Sequence, residues 1–260
     1  MEGAMRDEIR AKGLELGADA VGFAAIDDYA SVRARNPRTI LPTVRSMVVL
    51  GYRELDGPIE SDNARASFAA RMGTMELGTR NNYLLARQIE DRCRVKATPV
   101  PFSYPLDMGS EARGLIGDIS LRHAAVAAGL GVLGRHNLVI HPRFGTRIVF
   151  TAILTELDLG SDQPVDDELC DRCNLCVEAC PAGALDEEGK TDALRCLRTS
   201  QPYGIGGTVR YLRKFLEANP QEKRELLKDP TLLQIYQSQF IGFHYYCFSC
   251  MAACPACLGG

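Results

Sequence analysis

Two cysteine runs near the C-terminal end constrain this chain more than any other feature. The first is Cys170-x2-Cys173-x2-Cys176-x3-Cys180-Pro181 and the second is Cys247-x2-Cys250-x3-Cys254-Pro255. Thiolates at these spacings, closed by Cys-Pro, are the ligand pattern of cubane iron–sulfur clusters, in which three closely spaced sulfurs wrap one cluster and the cysteine before proline serves the other. Zinc is the runner-up for any C-x2-C pair, but zinc sites draw their four ligands from two separated pairs, unlike this triple run. Two cubanes need eight ligands, and the runs supply seven. The position that would complete the second run holds His244, and the isolated Cys196 is the better eighth ligand, because histidine ligation mainly raises the potential of a cluster. His244 is then a core histidine or one lying just outside the ligand set. The crossed rule assigns Cys170, Cys173, Cys176 and Cys254 to one cluster, and Cys180, Cys196, Cys247 and Cys250 to the other. Cys257 is left as a spare thiol.

Composition narrows the class. The chain has 260 residues, 46% of them hydrophobic, enough for one large domain or two modest ones. Its ten cysteines sit mostly at metal-type spacings, which suits a reducing compartment rather than a disulfide framework. A charged N-terminus and apolar runs too short to span a bilayer predict a cytoplasmic protein without a membrane anchor. The net charge of -3 gives no broad basic field, so nucleic acid is not expected as a partner.

Upstream of the cysteines the pattern is α/β. Residues 5 to 17 read as a helix ended by Gly17, Ala20–Ala24 as a short strand, and Ser46–Tyr52 as a buried strand with no polar residue in its middle. Residues 62 to 75 read as one helix leading into another over Arg80–Arg94, where Leu85, Ile89 and Cys93 recur on one face; Cys93 is a small core residue there. The prolines at 99, 101 and 105 reduce Lys96–Tyr104 to an edge strand running into an irregular loop. Asp118–Ala128 is a helix that Asp118 or Ser120 caps and Gly129 ends. The following segment carries glycines at 129, 131 and 134, where backbone can approach a large ligand, then strands at Leu138–Ile140 and Arg147–Leu154 joined through residues 141 to 146. The glycines follow a helix and precede a strand, so this is not a dinucleotide fingerprint. The polar stretch Leu157–Asp167 divides the chain into residues 1–160 and 161–260. Tyr211–Leu216, with Leu212, Phe215 and Leu216 at helical spacing, and the charged stretch Gln221–Asp229 followed by Leu232–Tyr236 read as helices packing around the clusters.

Ala128-Gly-Leu-Gly-Val-Leu-Gly-Arg-His-Asn-Leu-Val-Ile-His-Pro-Arg-Phe-Gly145, taken with the cysteine set and the isolated Cys196, resembles the family of epoxyqueuosine reductases and respiratory reductive dehalogenases. The resemblance implies an α/β (α+β) chain with a nitroreductase-like N-terminal domain that binds base-off cobalamin, and a C-terminal ferredoxin-like domain with two 4Fe-4S clusters. It implies that Gly129, Leu130, Gly131, Gly134, Arg135, His136, Asn137 and Gly145 line the corrinoid. The family's Asp-x-x-Pro motif is missing: its acid position falls at Leu115 and its proline position at Asp118. Asp118, Tyr83 and Tyr104 are the candidate proton donors, and a helix cap is the competing role for Asp118.

The function expected from these features is a cobalamin-dependent oxidoreductase. An external low-potential donor of the ferredoxin or flavodoxin type would feed two 4Fe-4S clusters, which reduce the corrinoid, which reduces a small molecule. Two alternatives stand beside it: an electron-transfer protein that reduces a corrinoid held by a partner, and an iron–sulfur oxidoreductase with flavin in place of the corrinoid.

Overall fold

The computed structural model describes residues 2–32, 34–100, 107, 109, 111, 115–166, 168–242 and 245–257. Tyr104, His244 and the side chain of Cys257 lie outside the described residues. Helix α1 (Glu2–Glu15) ends where Gly17 turns the chain at φ +106°, as the sequence predicts. Strands β1 (Ala20–Ala25) and β2 (Ser46–Arg53) follow, then a short helix α2 (Asp56–Glu60) and a long helix α3 (Ala64–Cys93). Next come β3 (Ala97–Pro99), α4 (Leu121–Ala127), β4 (Val132–Leu133), β5 (Val139–Ile140) and β6 (Ile148–Thr155).

Four strands make one sheet in the order β1-β2-β6-β3, with every neighbouring pair antiparallel. β2 is buried along all but its last residue, because both sheet faces are covered and no position can be polar by alternation. One face packs on α1 and α3 through Phe23, Val48, Leu50, Leu85 and Ile89, and the other packs on α4 through Met47, Val49, Ala124, Ala125 and Leu154. This is a helix-and-antiparallel-sheet architecture, so the α+β side of the expected class holds.

Three sequence expectations change. The two helices expected over 62–94 are one 30-residue helix. Gly78 does not break it; a Cβ there would lie 3.0 Å from Thr151 and 3.3 Å from Tyr52, so glycine lets the helix sit down on the sheet. Buried Asn82 fixes that contact, donating to the Ala152 carbonyl at 3.1 Å and accepting from the Thr151 hydroxyl at 2.7 Å. Second, β5 does not form a hairpin with β6: it pairs with β4, while β6 joins the main sheet. Third, the stretch after Leu157 is no free linker. Leu159 is buried, and Asp162 accepts from Arg6, from Arg10 and from the Phe23 N–H, which straps residues 159–162 to the edge strand β1.

Beyond that strap come α5 (Leu175–Glu178), α6 (Ala193–Ser200), α7 (Ile205–Glu217), α8 (Pro220–Leu226), α9 (Pro230–Tyr236) and α10 (Ser249–Ala252). α7 to α9 enclose their own small core of Tyr211, Leu226 and Ile235. The expected cover over the cysteines is not what α7 provides, since Leu212 is 51% and Leu216 75% exposed.

Candidate metal centre

Local backbone geometry gathers the first three sulfurs. Arg172 and Asn174, the residues on either side of Cys173, both take left-handed conformations (φ +58° and +62°), which curls the loop ahead of α5 tightly enough for Cys170, Cys173 and Cys176 to face one side. A cavity of about 260 Å³ lies there, lined by those three cysteines, by Cys254 from the end of α10, and by Arg135, His136 and Ile140. The crossed assignment of Cys254 thus corresponds to a shared wall in space.

The other four sulfurs form a second group. Asp192 caps α6 by accepting the Arg195 N–H at 3.0 Å, and the helix carries Cys196 on its second turn. The Cys250 thiol is pushed up to about 12, chiefly by burial and then by the charges of Cys247, Cys196, Cys180 and Cys176. Burial raises Cys196 too, with Cys247 and Cys180 adding to it. In the first group Cys176 is raised by burial and by Cys170 and Cys173.

Thiols crowded this way resist becoming thiolates without a compensating cation, and iron supplies one. Backbone donors already point at two of the sulfurs: the Arg135 N–H reaches Cys170 Sγ at 3.3 Å, and the Ala184 N–H reaches Cys180 Sγ at 3.4 Å. Among the described residues no three His, Cys, Asp or Glu side chains converge closely enough to hold a single metal ion. The triple C-x2-C-x2-C run closed by Cys-Pro fits a polynuclear iron–sulfur group better than mononuclear zinc.

The second cysteine segment is seated on the N-terminal half. Arg71 of α3 binds buried Glu54 with Nε–Oε1 at 2.7 Å. Its guanidinium also covers the rings of Phe248 (4.7 Å) and Tyr245 (5.3 Å), and it donates to Met251 Sδ at 3.3 Å. The Thr146 hydroxyl donates to the Met251 carbonyl at 3.3 Å. Sequence reading missed this seat, because Arg71 and Glu54 belong to no motif and are far from the cysteines in the chain.

The glycine segment is closely packed against this chain's own backbone. Gly129 (φ +67°) and Gly131 (φ +152°) adopt backbone that disfavours side chains, and a Cβ on them would meet the carbonyl oxygens of Gln163 and Ile140, each at 2.3 Å. A Cβ on Gly134 would lie 2.6 Å from His136 Cε1. What approaches these glycines closely is this chain itself. Leu130 is buried in the core, and Gly145 (φ +54°) closes a turn in which it and His141 exchange backbone hydrogen bonds. Arg135 donates to the carbonyls of Asp186 and Glu187 at 3.3 and 3.2 Å, and Asn137 donates to the Thr191 hydroxyl at 3.3 Å. The residues expected to line a corrinoid are engaged with the core and the cysteine loop.

His136 is 3% exposed. Its Nδ1 accepts the Leu138 N–H at 3.0 Å, and burial lowers its pKa to about 4. The ring is therefore neutral near pH 7 with its proton on Nε2, and Nε2 has no hydrogen-bond partner in the protein.

Of the candidate proton donors, Tyr83 and Asp118 are among the described residues. Tyr83 is 59% exposed on α3. Asp118 does not cap α4, whose N-cap is Ser120; it lies 4.0 Å from Arg35 on the surface.

Residues 164–186 match the 4Fe-4S binding domain. Among curated proteins, the chain is 23% identical over 279 residues to the epoxyqueuosine reductase of Lactococcus garvieae (strain Lg2), covering 97% of this chain and 69% of that protein. It is 33% identical over 219 residues to the epoxyqueuosine reductase of Bacillus anthracis, covering 74% of this chain and 55% of that one. In fold it is similar to an epoxyqueuosine reductase solved with an epoxyqueuosine-modified tRNA stem loop (TM-score 0.58, 19% identity, 77% of this chain and 58% of that one). It is also similar to a catabolic reductive dehalogenase in complex with 3-bromo-4-hydroxybenzoic acid (TM-score 0.57, 22% identity, 74% and 28%).

The chain is an iron–sulfur protein of the 4Fe-4S class. Within that class its curated relatives are epoxyqueuosine reductases. It spans little more than half the length of most of the curated relatives it matches. No helix among the described residues is long and apolar enough to cross a membrane.

Proposed function

We propose that the chain is an iron–sulfur reductase in which two 4Fe-4S clusters carry electrons from an external low-potential donor toward the N-terminal half. The observation that supports this is that Cys170, Cys173, Cys176 and Cys254 line one cavity, while Cys180, Cys196 and Cys247 neighbour Cys250. The Cys254-Pro255 and Cys180-Pro181 elements exchange ligands between the sets, which keeps the two clusters adjacent. The N-terminal half takes part through its residues 134 to 137, which border the first set. A division near residue 160 and a nitroreductase-like N-terminal half belong to this reading.

The acceptor favoured by likeness to reductive dehalogenases is a corrinoid, which when bound would supply a strongly reducing cobalt. Residues 129–137 and Gly145 are its proposed lining. Flavin, the alternative cofactor, gains no support from the comparisons. Anaerobically purified protein tests the reading directly through iron, sulfide, cobalt and flavin per chain. Roughly eight irons, for two cubanes, are expected, and about four would contradict the paired assignment.

The net charge argued against nucleic acid, and the relative solved with a tRNA stem loop argues the other way. A local feature favours an RNA substrate here as well. Residues 195–228 hold eight Lys or Arg against three Asp or Glu, although the whole chain is acidic. Arg210, Arg213 and Lys214 of α7 are exposed. A cationic helix pair of this kind binds phosphate backbones with strong salt dependence. Binding of a tRNA stem loop that weakens steeply with salt, and weakens at every salt concentration in Arg213→Glu/Lys214→Glu, supports RNA. Binding unaffected by that change removes α7 from the interface.

A further inference from the structure

Polar groups buried as deeply as His136 are nearly always hydrogen-bonded, because an unpaired donor away from water loses its hydration with nothing in return. His136 is 3% exposed, its Nε2 has no protein partner, and the ring lines the cavity shared by Cys170, Cys173, Cys176 and Cys254. The geometry leaves little choice of tautomer. Nδ1 is occupied as the acceptor for the Leu138 N–H at 3.0 Å, so the proton sits on Nε2. Gly134 makes the pose possible, since a Cβ there would lie 2.6 Å from Cε1 and 3.1 Å from Nε2.

We infer that His136 donates its Nε2–H to a sulfur of the cluster held by Cys170, Cys173, Cys176 and Cys254. It acts as a positioning residue that raises the reduction potential of that cluster relative to its neighbour. The inference rests on the two-cluster reading above. Hydrogen bonds to sulfur favour the reduced state, which carries one more negative charge, and they are among the means by which a protein sets a cluster potential. The backbone N–H of Arg135, one residue away, already reaches Cys170 Sγ at 3.3 Å, so residues 135 and 136 would together place two donors on one cluster. A cluster raised in this way is the one that fills first, which gives electron flow between the two a direction.

The test uses the anaerobic holoprotein, with iron and sulfide content measured first. In wild-type protein labelled with ¹⁵N-histidine, pulsed EPR of the reduced cluster is expected to show a weak ¹⁵N coupling. His136→Leu is expected to abolish that coupling and to lower the reduced-to-oxidised ratio of one cluster about tenfold at fixed ambient potential, about 59 mV for a one-electron couple. His136→Gln, which keeps an N–H donor, is expected to recover part of the shift. Full iron with no ¹⁵N coupling in the wild-type protein overturns the inference however the variants behave. Full iron in His136→Leu with an unshifted potential overturns it too. A protein that assembles no cluster at this cavity overturns the two-cluster reading instead.

Discussion

The backbone N–H of Arg135 donates to Cys170 Sγ at 3.3 Å, so the glycine segment and the cysteine loop meet through a hydrogen bond to a cluster ligand. Around it, the Arg135 side chain holds the carbonyls of Asp186 and Glu187, and Asn137, itself left-handed at φ +61°, reaches Thr191. The two sequence features that looked independent are one structure. Changes in the glycine segment should therefore be felt at the cysteines.

Gly131→Ala tests this. At φ +152°, with a Cβ 2.3 Å from the Ile140 carbonyl oxygen, alanine must displace the β4–β5 pairing. Strain of this kind costs about 1–3 kcal/mol for the backbone alone. Thermal unfolding of the holoprotein should show a lowered midpoint together with faster loss of iron. Gly73→Ala, on an open helix position with nothing within 4 Å, should leave both unchanged or slightly improved.

The Arg71–Glu54 pair should behave as a buried ion pair that seats the second cysteine segment. Glu54 is almost fully buried, and Arg71 also covers Phe248 and Tyr245. Removing one partner leaves a buried charge uncompensated, at a cost of about 3–5 kcal/mol. Arg71→Met should destabilise the fold by that order in chemical denaturation and release iron from the cluster containing Cys247 and Cys250. The double variant Arg71→Met/Glu54→Leu should recover much of the loss, because it removes both charges.

Acid should loosen the 141–146 turn before it reaches the carboxylates. His141 Nδ1 accepts the N–H groups of Arg143 and Phe144, and burial, helped by the Arg143 charge, lowers its pKa from the ordinary histidine value. The folded state therefore disfavours the proton. The stabilising contribution is fully present above about pH 6.5, the ordinary value, and is lost as pH falls below it toward the lowered folded value. Unfolding free energies at pH 7.5 and 5.5 should converge between wild type and His141→Phe as pH falls. An equal gap at both pH values would show that His141 does not titrate in this window.

The parts of the site legible in the sequence were those fixed by short-range stereochemistry. Cys254 was assigned to the first set from its proline alone, and it lines one cavity with Cys170, Cys173 and Cys176. Gly129 and Gly131 were legible as positions where something comes close, but spacing does not reveal what comes close, and it proved to be carbonyls from Gln163 and Ile140. The same limit applies to α7. Helical periodicity identified an apolar face containing Leu212 and Leu216, but a period says nothing about the partner, and these side chains stand largely exposed. In the N-terminal half, β2 was legible because its burial on both faces leaves an unbroken apolar run. The 30-residue span of α3 was hidden by Gly73 and Gly78, which local propensity reads as breaks and tertiary packing tolerates. Glu54 and Arg71 carried no local signal, since their importance comes from burial against distant parts of the chain; His136 stood out in its motif, but its unpartnered Nε2 did not.

The crossing of ligands between the two clusters is tested most directly by iron content in paired cysteine variants. Cys173→Ala and Cys254→Ala each remove a ligand from the same predicted cluster, so each should retain about four irons of roughly eight, and the double variant should retain the same four. Cys173→Ala/Cys180→Ala, which strikes both sets, should lose nearly all of it. Near-complete iron loss in Cys173→Ala/Cys254→Ala, with four irons kept by Cys173→Ala/Cys180→Ala, would contradict the crossing and put Cys254 with its sequence neighbours Cys247 and Cys250.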